Sequence, residues 1–210
     1  MTALVYLHGF SSAPGGSKGS FCRAWAEARG IPFHAPDLNL PNFESLTVTA
    51  QVEAVEALLE TLPHPPVLAG SSLGGFIATA VAQRGARLSS LILLAPAIGF
   101  AARRMASPAW AGYRETGETQ VHHYGQQRAL RLGPALRDDL PRWTGDETWR
   151  VALQTVILHG RHDESVPLAA SEAYAGRNPS ARLHILEDDH ALLAPASLAL
   201  LEATLEEAFR

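Results

Sequence analysis

The sequence predicts an α/β protein of one domain, with a mostly parallel central sheet of about six strands flanked by helices. Short apolar, β-branched runs alternate along the chain with helical patterns. Strands that alternate with helices are joined by crossover connections and therefore form a parallel sheet. The six predicted strands are residues 4–7, 32–35, 67–69, 91–94, 155–158 and 183–186. A chain of 210 residues is long enough for a single domain, residues 1–210, with its own core.

Two segments have the apolar spacing of amphipathic helices. In residues 44–62 the apolar side chains recur at steps of three and four, and Pro63 follows directly. This helix is expected to pack on the sheet. Near the end of the chain Leu198, Leu201 and Leu205 repeat the spacing, which predicts a second helix.

One long segment, residues 101–150, interrupts the alternation and shows no strand signal. Three of the four tryptophans lie in it: Trp110, Trp143 and Trp149. Connections of this length are usually functional or disordered, and the aromatic content disfavours disorder. We therefore predict a helical lid or cap over the site, and call residues 101–150 the insertion.

The composition favours small-molecule chemistry. The formal charge is −4 and no basic run is present, which argues against binding to nucleic acid or to an anionic membrane. No apolar run approaches the length of a membrane span. The single cysteine, Cys22, has no internal disulfide partner, and the first residues read as a strand, so a cytoplasmic protein is expected. Neither zinc-ligand spacing nor a phosphate-binding loop is present, so no metal or cofactor is expected; the oligomeric state stays open.

The strongest chemical motif is Gly70-Ser71-Ser72-Leu73-Gly74, which follows a predicted strand and precedes a helical pattern. It matches the G-x-S-x-G nucleophile elbow in its strand-turn-helix context. Side chains at Gly70 and Gly74 would collide with neighbouring backbone in so tight a turn. Ser72 is therefore the predicted nucleophile. The alternative is an ordinary Gly/Ser-rich strand-to-helix turn.

A serine nucleophile needs a base, and in this type of site the acid and then the histidine follow it along the chain. Asp163 follows the predicted strand 155–158 and is the predicted acid, with Glu164 as its competitor and a helix cap or a solvated loop acid as the alternative role. His190 follows the last predicted strand and is the predicted base. The other eight histidines lie in or beside strands or outside this order, so position selects His190.

An acyl-transfer site also needs donors for an oxyanion. The backbone N–H of Leu73, after the nucleophile, and that of Phe10, after the first strand, are the predicted donors. His8 is expected to brace the loop that carries Phe10. Lys18 lies near this loop; it either attracts an anionic substrate or, as the favoured alternative, is a solvated lysine at a helix start.

These motifs together resemble the α/β-hydrolase superfamily over nearly the whole chain. The resemblance is carried by Leu7-His8-Gly9-Phe10, Gly70-Ser71-Ser72-Leu73-Gly74-Gly75, His159-Gly160 with Asp163, and Asp189-His190. The stretches YLHGFSSAPGGSKG and GSSLGG are similar to those of the small YqiA-type bacterial esterases and of human mitochondrial hydrolases of acyl glucuronides and thioesters. The resemblance implies carboxylesterase or thioesterase activity without a cofactor, on a sheet shorter than usual. Asp188 and Asp189 precede His190 where many relatives have glycine, which leaves the loop geometry and the histidine pKa open.

The functional hypothesis is a serine hydrolase that cleaves esters or thioesters of small to medium acyl groups through an acyl-enzyme. Other chemistry on the same triad is the first alternative: amide or C–C bond hydrolysis, or perhydrolysis. A binding module that has lost catalysis is a further alternative, disfavoured because all three triad residues are present. A nucleotide-binding protein is weaker still, because no G-x-G-x-x-G follows the first strand.

Overall fold

The structure, a computed structural model, describes residues 1–210 and contains eight strands. They are β1 (Leu4–Leu7), β2 (Phe33–His34), β3 (Val67–Ser71), β4 (Ser90–Leu94), β5 (Thr119–His123), β6 (Arg128–Leu132), β7 (Thr155–Gly160) and β8 (Ala181–Leu186). Six of them form one parallel sheet in the order β2-β1-β3-β4-β7-β8, and β5 pairs with β6 in a separate hairpin. All six strands of the sheet correspond to predicted strands.

Helices fill the connections between the strands. The α-helices are α1 (Ser17–Glu27), α2 (Val48–Glu60), α3 (Leu73–Gln83), α4 (Phe100–Ala106), α5 (Ala111–Thr116), α6 (Pro134–Asp139), α7 (Leu168–Arg177) and α8 (Pro195–Ala208). Both predicted amphipathic helices are present, as α2 and α8. Helix α2 begins after Thr47, whose hydroxyl accepts a hydrogen bond from the N–H of Ala50 at 3.0 Å, an N-cap. None of these helices combines the length and the hydropathy that a membrane-spanning segment needs.

The core lies on both faces of the sheet. Successive strand residues point to opposite faces, so Val5 and Leu7 pack with α2 and α3, whereas Leu4 and Tyr6 pack with α1 and α8. The first face is the larger and is centred on Phe76, which is fully buried. A sheet covered on both faces explains why its strands read as continuous apolar runs.

The order of the strands indicates at which edge of the sheet a ligand site is expected. The chain runs from β1 out to the edge strand β2 and returns to β3 on the other side of β1, so the winding direction reverses there. In parallel α/β sheets the ligand crevice lies beyond the carboxyl ends of the strands, at such a reversal. The turns that follow β1, β3, β7 and β8 all lie at this edge, and each carries at least one of the predicted site residues.

The prediction that the insertion contains no strand was wrong. Strands β5 and β6 form an antiparallel hairpin within it, with Thr119 opposite Leu132 and His123 opposite Arg128. The insertion is therefore a mixture of short helices and one hairpin. The hairpin escaped notice because its strands are short, and Val121 stands between polar residues on the half-exposed β5.

The insertion is attached to the core along the side that faces away from the crevice, which we call its rear side. The carboxylate of Asp139 accepts hydrogen bonds from the N–H and the hydroxyl of Thr49 in α2, at 2.9 and 2.6 Å. The indole N–H of Trp143 donates to the same hydroxyl at 3.0 Å. Trp143 and Trp149 both pack against Phe76 rather than facing the crevice. Two of the three tryptophans of the insertion thus pack against the hydrophobic core.

Candidate active site

Ser72 lies at the tip of the sharp turn between β3 and α3. Its φ of 54° and ψ of −117° fall in a region that side chains rarely adopt. The surroundings enforce this conformation: the N–H of Ser72 donates to the carbonyl of Leu94 at 2.9 Å, and its carbonyl accepts from Ala97 N–H at 2.9 Å. Backbone strain that is held in this way is typical of functional positions. The turn presents the Ser72 side chain to the crevice, where it lines a cavity.

The glycines of the turn are required by the space around them. A Cβ atom on Gly70 would collide with the carbonyl of Gly74, and one on Gly74 would collide with the carbonyls of Leu7 and His8 at the end of β1. These obstacles are backbone atoms and cannot rotate away. The collisions predicted from the sequence at both glycines are confirmed.

We expect Gly74→Ala to lower the free energy of unfolding by about 3 kcal/mol, because the added methyl group forces β1 and α3 apart. Urea denaturation followed by circular dichroism measures this change. Gly176→Ala is the matched control: nothing lies within 4 Å of a Cβ there, in helix α7, so alanine should be neutral or stabilise by up to about 1 kcal/mol. Equal stabilities for the two variants would show that the turn has room for a side chain.

Asp163 and His190 come together from the turns after β7 and β8. The Nδ1 atom of His190 lies 2.6 Å from Oδ2 of Asp163. The Asp163 side chain is fully buried, whereas that of His190 is 28% exposed. The other carboxylate oxygen of Asp163 accepts the N–H groups of Ser165 and Val166, both at 2.8 Å. The acid is thus fixed, and the imidazole remains accessible.

Burial by itself would raise the pKa of Asp163, but hydrogen bonds from His159, from His190 and from the Val166 N–H outweigh it and hold this pKa well below its ordinary value. The carboxyl is therefore ionised at neutral pH. An ionised carboxylate only accepts hydrogen bonds, so Nδ1 of His190 carries a proton in this pair, and in the neutral imidazole the lone pair lies on Nε2.

The two predicted oxyanion donors are available. The N–H groups of Phe10 and Leu73 donate to no acceptor within the protein. The loop after β1 lies directly against Ser72, since a Cβ on Gly9 would stand 3.2 Å from the Cβ of Ser72. His8 braces this loop: its Nε2 accepts the N–H of Leu38 at 2.9 Å, and its Nδ1 lies 2.9 Å from the carbonyl of Gly9. Burial lowers the pKa of His8 and keeps the ring neutral.

Ser72, His190 and Phe10 line one cavity of about 1110 Å³. The insertion supplies much of the opposite wall, including Trp110 and Tyr113. The side chains of Ser72 and His190 face this shared space without a hydrogen bond between them. Hydrogen bonds between nucleophile and base often tighten only when a substrate is in place.

Two residues have contacts at the site that the sequence did not predict. His159, which was set aside as the base because it lies in a strand, is fully buried at the end of β7, with Nε2 at 3.2 Å from Oδ2 of Asp163. Its Nδ1 lies 2.8 Å from the hydroxyl of Ser171. The sequence signals were the place of His159-Gly160 among the motifs of the family resemblance and the spacing of four residues between His159 and Asp163. Glu164, the competing acid, is exposed and makes no hydrogen bond to His190.

The second is Lys18, which is neither solvated nor directed at the cavity. It is partly buried, and its ammonium group donates to the carbonyl of Ala191 at 2.6 Å. Burial lowers the pKa of this amine. The only lysine of the chain thus holds the residue next to His190.

The two acids before His190 also hold its loop. Asp188 accepts the N–H of Ala194 at 2.9 Å and the hydroxyl of Ser197 at 2.6 Å, and Asp189 accepts the N–H of Ala191 at 2.7 Å. Burial opposes ionisation of Asp188, but these hydrogen bonds lower its pKa. Neither carboxylate forms a hydrogen bond or an ion pair with the imidazole, and both stabilise the loop geometry that the sequence left open.

We expect Lys18→Met to lower kcat for an ester substrate by roughly ten- to hundredfold with little change in KM, because small displacements of a catalytic group have effects of this size. Lys18→Arg, which retains a charged donor, should recover a large part of the loss. Steady-state kinetics of the wild type, Lys18→Met and Lys18→Arg measure these changes in kcat and KM. A rise in KM with unchanged kcat would instead indicate a direct contact between Lys18 and the substrate.

The fold defines this protein as an α/β-hydrolase: a parallel sheet wound around β1 and β3, with a strained elbow serine between β3 and α3. Residues 3–195 match the uncharacterised protein family UPF0227, and the chain belongs to that family. This confirms the predicted superfamily and fold class.

The chain is also similar to one curated protein in sequence and to two solved structures in fold. A pimeloyl-(acyl-carrier protein) methyl ester esterase of Aromatoleum aromaticum is 34% identical over 131 residues, which cover 60% of this chain and 47% of that protein. This chain thus matches less than two thirds of that relative's length. Alpha/beta hydrolase domain-containing protein 10 from mouse superposes with a TM-score of 0.81 at 23% identity, over 99% of this chain and 89% of its own. Est1E of Butyrivibrio proteoclasticus with bound ferulic acid gives 0.80 at 18% identity, over 99% and 87%. The two structures support the fold.

Proposed function

We propose that this protein is a serine hydrolase that cleaves carboxylic esters or thioesters of small to medium acyl groups. Ser72 is the nucleophile, His190 the general base and acid, and Asp163 the residue that orients and stabilises the imidazole. The N–H groups of Phe10 and Leu73 bind the oxyanion. The substrate is a small molecule, and the chemistry needs no cofactor.

The observation that carries the proposal is the short hydrogen bond between His190 Nδ1 and the buried, ionised Asp163, beside a strained serine that lines the same cavity. A lone histidine or serine is common in any protein. A histidine that is hydrogen-bonded to a buried acid and shares a cavity with a serine at an elbow supports the assignment of a triad. The curated relative, which is named as a methyl ester esterase, favours ester chemistry over the other reactions of this triad.

The first half of the reaction acylates the enzyme. The Ser72 oxygen bonds to the carbonyl carbon of the substrate while its proton passes to Nε2 of His190. The electron pair of the carbonyl moves to its oxygen, which the N–H groups of Phe10 and Leu73 stabilise. When the tetrahedral intermediate collapses, the bond to the leaving group breaks, and His190 returns the proton to the departing alkoxide or thiolate.

The second half returns the enzyme to its starting state. Water attacks the acyl-serine carbonyl and gives a proton to His190, and collapse of the second intermediate releases the carboxylic acid and restores the Ser72 hydroxyl. The insertion is the lid of this site: its residues Trp110 and Tyr113 line the cavity in which the acyl or alcohol group binds.

The proposal is tested by labelling with a fluorophosphonate, read by intact mass and peptide mapping, together with hydrolysis of p-nitrophenyl esters and a matched thioester. The wild type should form one adduct, on Ser72, and Ser72→Ala should form none. Ser71→Ala is the matched control; Ser71 is the buried neighbour of the nucleophile, and its loss should leave labelling in place. An adduct on another residue, or a folded wild-type protein that forms none, would overturn the proposal.

A further inference from the structure

The cavity in front of Ser72 contains an arginine cradled by aromatic rings. The guanidinium carbon of Arg104, in α4, lies 4.1 Å from the ring centre of Trp110, 5.4 Å from that of Phe100 and 5.7 Å from that of Phe10. Phe10 also carries the predicted oxyanion donor. Arg104 and Ser72 therefore line the same cavity, with the Phe10 ring beside the guanidinium.

The charge of Arg104 has no partner in the protein. It forms none of the ion pairs of the structure, and none of its N–H groups donates to a protein acceptor, although its side chain lines the cavity. The other basic side chains nearby are engaged: Arg103 donates to the carbonyl of Ile98, and Arg114 donates to that of Ser107. Burial, with a smaller contribution from Arg103, lowers the pKa of Arg104 to about 10, so it stays charged at neutral pH.

The acidic side chains of the cavity do not neutralise this charge. Glu118 is paired with Arg131, and Glu164 is exposed beside the turn that carries Asp163. A partly desolvated charge without a partner is costly, and packing alone is served equally well by an uncharged chain such as methionine. Stacking uses only the faces of the guanidinium, so its edge donors remain available for a carboxylate or a phosphate.

We propose that Arg104 binds an anionic group of the substrate, a carboxylate or a phosphate, so that the enzyme prefers esters that carry such a group a few carbon atoms from the reacting carbonyl. This inference rests on the proposed hydrolase function and names the chemical class of its substrate. The aromatic rings hold the guanidinium in place, and the insertion thereby supplies specificity.

The test compares matched pairs of esters. For a charge on the acyl half, the pair is the p-nitrophenyl monoester of glutaric acid and p-nitrophenyl pentanoate; for the alcohol half, it is the butanoate ester of meta-hydroxybenzoate and phenyl butanoate. In at least one pair the wild type should prefer the charged ester by at least about tenfold in kcat/KM. Arg104→Met should reduce that preference by roughly ten- to hundredfold, mainly through KM, and should leave the neutral ester within about threefold. Arg104→Lys should retain part of the preference.

Arg128→Met is the matched control, because Arg128 lies on β6 of the same insertion and its exposed side chain forms hydrogen bonds only to Gln126. It should keep the wild-type preference. The proposal is overturned if the wild type shows no preference in either pair, or if Arg104→Met affects charged and neutral esters equally, which would make Arg104 a packing residue for Phe10.

Two further measurements keep the inference separate from folding and from the hydrolase proposal. In the wild type alone, glutarate should inhibit hydrolysis of the neutral ester at concentrations at least about tenfold below those of its uncharged diamide; equal inhibition contradicts the inference. If the wild type cleaves no ester, the hydrolase proposal fails, and calorimetric binding of glutarate then tests Arg104 by itself. Binding that Arg104→Met weakens at least about tenfold supports the anion site, and unchanged or absent binding overturns it.

Discussion

Replacement of His190 by alanine is expected to lower kcat for a p-nitrophenyl ester by roughly a millionfold, the loss found when the base of a serine triad is removed. In the proposed mechanism Nε2 takes the proton of Ser72 and protonates the leaving group, and this variant lacks it. The same variant should react with the fluorophosphonate far more slowly than the wild type, because the serine is no longer activated. Stopped assays at high enzyme concentration give the residual rate.

The protein should stay folded in this experiment. The His190 ring is 28% exposed, and Lys18 and Asp189 hold its loop through backbone atoms. His162→Ala is the matched control, since His162 lies on the neighbouring turn, is exposed and contacts only Glu187 by its ring. It should retain wild-type activity. A His190→Ala enzyme within tenfold of the wild type would show that another group is the base.

Asp163→Asn is expected to lower kcat by about ten-thousandfold while KM changes little. The asparagine NH₂ group would donate toward Nδ1 of His190, so that the proton moves to Nε2 and the base is lost. Glu164→Gln, one residue further along and exposed at the edge of the same cavity, is the matched control and should be nearly neutral. If Glu164→Gln were the more damaging change, the roles of the two acids would be reversed.

The same substitution has an effect on stability that depends on pH. The pKa of Asp163 is lower in the folded protein than its unfolded value near 3.9, so the folded state binds this proton less tightly than the unfolded state. The ionised carboxylate therefore stabilises the fold above that unfolded value, and the contribution is lost as the pH falls through the folded pKa. Urea unfolding below about pH 4 should show a steeper loss of stability for the wild type than for Asp163→Asn.

Much of the fold and the three residues of the proposed triad could be predicted because their signals are local. Each of Ser72, Asp163 and His190 follows a buried strand within a few residues, and parallel strands present their carboxyl ends at one edge. The meeting of Asp163 with His190 needs only that β7 and β8 are neighbours, which a short crossover connection favours. The structure brings these two residues into direct contact and places Ser72 on the same cavity.

The residues that escaped prediction depend on long-range contacts. Lys18 reaches Ala191 across most of the chain length, and nothing in the sequence around it points to that partner. Arg104 acquires its surroundings from Phe10 and from the fold of the insertion. His159 was set aside as the base because it lies in a strand. It is the next-to-last residue of β7, and the turn that follows this strand brings Asp163 back onto its ring. Local periodicity carries no information on such pairings.

The attachment of the insertion to α2 bears on how the family can diversify. Tyr113, Leu132, Leu136 and Leu140 belong to the same buried cluster as Phe76, each contributing about 2 kcal/mol of burial. Deleting residues 101–150 would uncover an apolar surface and yield an aggregating chain rather than a minimal catalyst. The segment is thus not an interchangeable module. New substrate preferences should arise by replacing side chains on its inner wall, with its length and its rear side preserved.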